Sequence, residues 1–234
     1  QQFGNRLTPA NLFRISLLFL LADRIIVLLL FGFQYTGSDD VLLWNIGNDY
    51  AHGIFHEPFM YRQNYNPALE SLLAVPLLWL RIPPHLAFPL LTTALAISPF
   101  ISFAYWFKRK GNIPAGILLL LVPVLLSPHY AILTTIPRGF ITGIFLLSFY
   151  PLIDLIQKLF LRRILFGFVC MLALAINPNA LFLIIPLFIY ELREKKNLLT
   201  GLPAMAAGAL PVVGLHYLAL HFYVLRYINL WMYK

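Results

Sequence analysis

A chain of 234 residues that is 60% hydrophobic and 11% charged, with a mean hydropathy of +0.79, cannot cover itself with polar surface. Soluble domains carry about 25% charged residues because they face water, so much of this chain must face lipid and the soluble-domain classes are excluded. The net charge of +8 falls in short loops between apolar segments, which makes it a topology signal and not a nucleic-acid surface; a lone cysteine, Cys170, excludes an intrachain disulfide framework, a zinc knuckle or a thiol pair.

In chain order the apolar segments run over 12–33, 66–82, 85–106, 113–127, 139–157, 164–177, 180–191 and 203–223. They recur along the whole length, which a signal peptide would not do. A spanning helix needs about 20 residues, with about 17 as a lower limit. Segment 113–127 and the two segments flanking Asn177-Pro178 are short and must recruit loop residues at their ends. Lys108-Arg109-Lys110, then Lys158 with Arg162-Arg163, then Arg193 with Lys195-Lys196 make every second loop basic, and the positive-inside rule places all three clusters in the cytoplasm.

Arg6 and Arg14 favour a cytoplasmic N-terminus. If 66–82 and 85–106 both crossed, the three basic clusters would then fall outside. Either the N-terminus is external and eight helices span, or one of these two segments does not cross. The second arrangement is preferred. Segment 66–82 contains Glu70 and Pro76, reaches only ~25 Å as a helix, and reads as lying on, or dipping into, the outer leaflet. The expectation is an all-α, polytopic protein of the cell (inner) membrane with about seven transmembrane helices. Residues 1–234 form a single transmembrane domain, and 34–82 form an external loop with interfacial helices. The chain starts at Gln1 and ends directly after an apolar run, which leaves room for further chain at both ends.

The first loop concentrates the polar side chains. Asp39, Asp40, Asp49, Glu57 and Glu70 fall in or beside it, interleaved with Tyr35, Trp44, Tyr50, Phe55, Phe59, Tyr61 and Tyr65. Leu42, Ile46, Tyr50 and Ile54 recur every four residues and predict one apolar helix face, suited to the membrane–water interface. Asp39 and Asp40 then stand at that helix's N-terminus, level with the end of the first span. A carboxylate there can act as general base toward an acceptor hydroxyl. It can equally cap the helix, as Ser38 can, favoured by the helix's N-terminal partial charge. The two roles are compatible.

Other polar residues carry two readings each. Arg138, at the external end of the span starting there, can grip a phosphate with its guanidinium fork or snorkel to headgroups. His129 shares that loop as a site histidine or an ordinary loop histidine. Asp23-Arg24, mid-span, is costly in lipid and predicts packing against another helix or subunit, and adjacent residues need not pair with each other. Asp154 and Lys158, four apart, suit an ion pair. His216 and His221 are five apart and diverge on a helix, so they do not suggest a metal site. Tyr223, Tyr227, Trp231 and Tyr233 read as an aromatic belt.

The run Ser38-Asp39-Asp40, Gly53-Ile54-Phe55, Tyr61-Arg62-Gln63-Asn64-Tyr65 and Leu69-Glu70 resembles the bacterial membrane glycosyltransferases of the GT-C superfamily. These are related to the protein mannosyltransferases and the aminoarabinose transferase. Asn177-Pro178 with Pro186 resembles the family's hairpin between two later spans. The resemblance implies a polyprenyl-phosphate-linked sugar as donor, transferred to an acceptor on the external or periplasmic face. It makes Asp39 the base with Asp40 as neighbour or alternative. Gln63, Tyr65 and Glu70 would shape the pocket, and Arg62 or Arg138 would hold the carrier phosphate. It leaves a divalent metal open and names no other cofactor. Arg62 stands where the family has glycine, residues 127–138 hold no acid, and the chain is short for the family. These departures motivate a second reading, a non-catalytic lipid-binding module or a subunit of a larger membrane complex. The expected partners are membrane lipid, the lipid-linked donor and membrane protein subunits. A transporter would need polar residues along a midplane path, where only Asp23 and Arg24 are found.

Overall fold

A computed structural model describes residues 8–32, 38–61, 67–125, 139–194 and 198–232. Regular structure among the described residues is entirely helical. Helix α1, Pro9–Val27, opens on Thr8, whose Oγ1 accepts from the Asn11 N–H at 3.3 Å, and widens into a π-helical turn over Leu28–Gly32. Two short helices follow, α2 over Ser38–Ala51 and α3 over Leu69–Trp79. Then come α4 (Pro84–Arg109), α5 (Ile113–Leu125), α6 (Gly139–Leu147) and the single turn α7 (Tyr150–Ile153). Helix α8 spans Leu159–Ile176; after a 3-10 turn at Pro178–Ala180, α9 spans Leu181–Glu194 and α10 spans Leu198–Met232. Asn177 initiates that turn, its side-chain oxygen accepting from the Asn179 N–H at 3.0 Å.

Among the described residues four helices are long and apolar enough to cross a bilayer: Pro9–Gly32, Pro84–Arg109, Leu159–Ile176 and Gly201–Phe222. The chain is therefore a membrane-embedded, all-helical protein. By contrast α2 rises ~21 Å and α3 ~16 Å, both short of the ~30 Å hydrocarbon core.

Helices α1, α4, α8 and α9 share one end of the bundle. Lys108, at the close of α4, stands 4.7 Å from the Phe13 ring near the start of α1. Arg162, in the first turn of α8, lies 2.8 Å from Asp154 and bonds Glu191 of α9. Trp106 donates from Nε1 to Asp154 Oδ2 at 2.8 Å, and the Tyr150 hydroxyl donates to Glu191 at 2.9 Å. This end gathers Lys108–Lys110, the start of α8 and the close of α9, where Arg193 is exposed.

Two expected pairings change. Asp154 does not pair with Lys158, which is exposed. A four-residue pair needs one continuous helix, and the chain unwinds between α7 and α8. Asp154 turns instead to Arg162, to Lys110 at 3.2 Å and to Arg109 at 3.7 Å. Asp23 and Arg24 do pair: the Arg24 Nε and Nη2 donate to one Asp23 oxygen at 2.8 and 2.5 Å. The long arginine side chain folds back across the angle between neighbouring positions, and Arg24 is also buried in the bundle.

Helix α10 packs on α8 through a backbone approach that only small residues permit. A Cβ on Gly208 would meet the Ile164 carbonyl oxygen at 1.9 Å, and one on Gly167 would meet that of Met205 at 2.0 Å. Small residues at such contacts are how membrane helices gain packing where lipid supplies no hydrophobic drive. The side chains of Tyr223, Tyr227, Trp231 and Tyr233 lie outside the described residues. Gly167→Val and Gly208→Val are each expected to lower stability by about 3 kcal/mol. Gly214→Val, at a site with nothing within 4 Å, should stay within about 0.5 kcal/mol. Denaturant unfolding in detergent distinguishes these outcomes.

Candidate functional site

The site region begins where the chain leaves α1. Ser38, Asp39 and Asp40 occupy the first turn of α2, where unpaired backbone N–H groups favour negative charge. Asp40 is buried; the side chain of Asp39 lies outside the described residues. The apolar face of α2 matches the expected stripe at Leu42, Ile46 and Tyr50, which pack in one cluster, and adds Leu43. Leu43, Ile46 and Gly47 are buried, Leu42 and Tyr50 are half-buried, and Ile54 lies beyond the helix. Gly53, with φ +73°, ends it: its N–H bonds the Tyr50 carbonyl at 3.0 Å and the Ile54 N–H bonds that of Asp49 at 2.8 Å. This paired closure needs a left-handed residue, which glycine adopts at little cost.

Two hydrogen bonds fix α3 beside α2. The Ser71 hydroxyl donates to the Leu43 carbonyl at 2.9 Å, and the Trp79 Nε1 donates to that of Ala51, also at 2.9 Å. Both join residues 28 apart, so the helices run parallel and Glu70 stands level with Leu42. That places Glu70 within about 5 Å, along the helix axis, of Asp39 and Asp40. Sequence spacing alone concealed this shared height.

Glu70 is 2% exposed. Among the described residues neither of its carboxylate oxygens has a hydrogen-bond partner, and the Thr142 hydroxyl of α6 approaches without completing a bond of ordinary geometry. Burial raises the Glu70 carboxyl from its ordinary 4.5 to about 7, against smaller opposing pulls from its own backbone N–H and from Thr142. The helix carrying Thr142 starts at Gly139, one residue after Arg138. Arg138 itself, with His129, Arg62, Gln63 and Tyr65, lies outside the described residues.

A second polar group forms at the far end of α2. The Tyr61 hydroxyl donates to Asp49 at 2.5 Å, His56 Nε2 stands 3.6 Å from the same carboxylate, and Glu57 is buried nearby. Burial, followed by the Asp49 hydrogen bond, raises the Tyr61 phenol above its usual value; burial and then Glu57 do the same for Tyr50. Their pairing depends on the chain doubling back after Gly53, and no regular spacing in the sequence announces it. Between this loop, the start of α3, α8 and α10 opens an apolar groove of about 540 Å³, walled by Phe55, Phe59, Leu69, Leu172 and His216. Among the described residues no three His, Cys, Asp or Glu side chains converge to hold a metal ion.

Protein-family models, curated proteins and solved structures were each compared with this chain, and none matches it.

The Glu70 shift has a sign that can be measured. Its folded value lies above its unfolded one, so the folded state holds the proton more tightly. Stability is complete below pH 4.5 and falls as the pH rises to about 7, by about 3 kcal/mol. Glu70→Gln is expected to flatten this window and to leave the protein more stable than wild type at pH 8, as read by thermal unfolding in detergent across that range.

Proposed function

We propose that this chain is a GT-C-type membrane glycosyltransferase module of seven spans, moving a sugar from a polyprenyl-phosphate carrier to an acceptor hydroxyl on the external face. The observation that carries the reading is the parallel α2–α3 pair. It sets the first turn of α2, which carries Asp39 and Asp40, level with the buried Glu70. Supporting it, the basic loops collect at the opposite end of the bundle, which the positive-inside rule assigns to the cytoplasm. The apolar groove beside α3 is of the right chemistry for an isoprenoid chain.

In this reading Asp39 accepts the proton of the acceptor hydroxyl as its oxygen attacks the sugar's anomeric carbon, with Asp40 as neighbour or alternative base. The bond from that carbon to the carrier phosphate breaks, and the leaving phosphate keeps the electron pair. Arg62 or Arg138 meets the charge that develops there, where a positioned cation stabilises the transition state. Gln63, Tyr65 and Glu70 shape the pocket, Glu70 in its protonated form below about pH 7.

A second reading, a lipid-binding module or a subunit of a larger membrane assembly, is favoured by α10. Its principal packing partner is α8, and it turns Leu210, Leu215 and Leu218 outward, a face open to further helices. Co-purification of partner subunits without turnover of lipid-linked sugar would support it.

Asp39→Asn is expected to lower sugar transfer in membrane vesicles by at least about 100-fold while leaving membrane insertion unchanged. Unchanged transfer removes Asp39 from the role, and the same loss in Asp40→Asn alone moves the role there. Orientation is tested separately. With Cys170→Ser and Asn48→Cys, an impermeant maleimide should label intact cells. Labelling only after permeabilisation rejects the external site.

A further inference from the structure

The end of the bundle opposite α2 and α3 carries a feature that sugar transfer does not use. A lateral groove of about 580 Å³ runs between α4, α5, α6 and α9, walled by Phe100, Phe103, Phe107, Phe182 and Pro186. Its walls are almost wholly apolar, so water entering it would find few hydrogen-bond partners. In a bilayer an apolar hollow open to the side is filled by a lipid chain.

The groove does not end blindly. It closes on Trp106 and Tyr190, and the Lys110 ammonium stands 5.7 Å from the first ring and 5.8 Å from the second. Trp106 also borders a smaller cavity of about 430 Å³ that reaches Lys108 and Arg109. The side chains of Arg109 and Lys110 are 41% and 39% exposed, so both remain accessible at the membrane surface while touching Asp154.

The local charge is unbalanced. Among the described side chains Asp154 and Glu191 are the carboxylates in contact with this group, and the buried Arg162 already bridges them. Arg109 and Lys110 share Asp154 with it, and Lys108 rests on the Phe13 and Tyr105 rings. Arg14, Lys158 and Arg193 on the adjoining elements are further, exposed cations, Arg163 of α8 is a buried one, and the side chain of Glu194 lies outside the described residues. Positive charge is in excess where an apolar slot meets the headgroup level, marked by Trp106 and Tyr190 as interfacial aromatics. Basic recesses between membrane helices take anionic lipid headgroups.

We propose that this groove binds one anionic phospholipid, an acyl chain lying along the α4–α9 wall and the phosphate lying against Arg109 and Lys110. The site is separate from the loop over α2 and α3, and it needs only that the chain be embedded in a membrane. A failed transferase assay therefore leaves it standing, and its own failure leaves the transferase reading untouched.

The test begins with the unaltered chain. Purified from micelles holding equal amounts of phosphatidylglycerol and phosphatidylcholine, it should retain phosphatidylglycerol about tenfold in preference, as counted by native mass spectrometry. Arg109→Gln keeps Lys110 and Arg162 on Asp154 and should cut that preference by about fivefold. Ile144→Trp, which fills the groove, should remove the bound lipid. A chain with Trp44, Trp79 and Trp231 changed to Phe reports the location. Chain-brominated phosphatidylglycerol should quench Trp106 fluorescence more strongly than brominated phosphatidylcholine at equal mole fraction. Equal retention or equal quenching of the two lipids overturns the proposal, as does a preference that survives both Arg109→Gln and Ile144→Trp.

Discussion

Arg162 is 3% exposed and sits between Asp154 and Glu191, whose side chains are equally buried. It is among the most deeply buried charges of the described bundle, with Glu191, Glu70 and Arg163, and lipid offers nothing to replace water around it. An ion in that position persists only with its partners in place, and removing one strands the others at a cost of several kcal/mol. The three residues come from α8, the turn after α7, and α9, while Trp106 and Lys110 add the end of α4. The polar network therefore sets the mutual height of these elements. The aromatic cluster of Phe103, Trp106, Tyr150, Phe166 and Tyr190 then packs around it.

That anchor defines the direction in which the other helices travel. With the close of α4 tied to the start of α8, the start of α4 is carried to the far end, where Phe88 packs against α2 beside Gly47. The short α2 and α3 lie there, joined by Ser71 and Trp79. The two ends treat their carboxylates differently. Asp154 and Glu191 are matched by cations and donors. Glu70, as deeply buried, has no hydrogen-bond partner among the described residues, and its carboxyl is raised toward neutrality by that burial. A matched buried ion is explained by architecture. A buried acid without a matching cation is an arrangement that folding alone does not favour, and such groups concentrate where chemistry or binding occurs.

The α8–α10 contact follows a different rule. There the stabilisation comes from backbone surfaces meeting at glycine, with van der Waals contact in place of charge. One face of α10 is committed to α8 and the rest carries exposed apolar side chains such as Leu202, Leu210 and Leu218. The molecule thus combines a polar clamp at one end, a parallel pair of short helices at the other, and a tightly packed pair of long helices along one flank.

The all-helical, membrane-embedded character was legible in the sequence, because hydropathy and run length are properties of consecutive residues and need no knowledge of what lies opposite. The same holds for the helix positions and for the shortness of the segment around Glu70 and Pro76. The Gly53 turn was visible as punctuation. The buried face of α2 was legible in part: Leu42, Ile46 and Tyr50 of the four-residue stripe pack inward, while Leu43 is added by α3 and Phe88 and Ile54 lies beyond the helix. The partners of Asp154 lie as far off as Lys110, and a local spacing rule chose Lys158 because it assumed a helix that tertiary contacts interrupt. Glu70 comes level with the first turn of α2 only through the parallel register set by two side-chain hydrogen bonds. Gly167 and Gly208 matter only because their helices meet there. Local energetics selected the segments; the choice of which faces meet, and so which polar groups share a site, belonged to the packed structure.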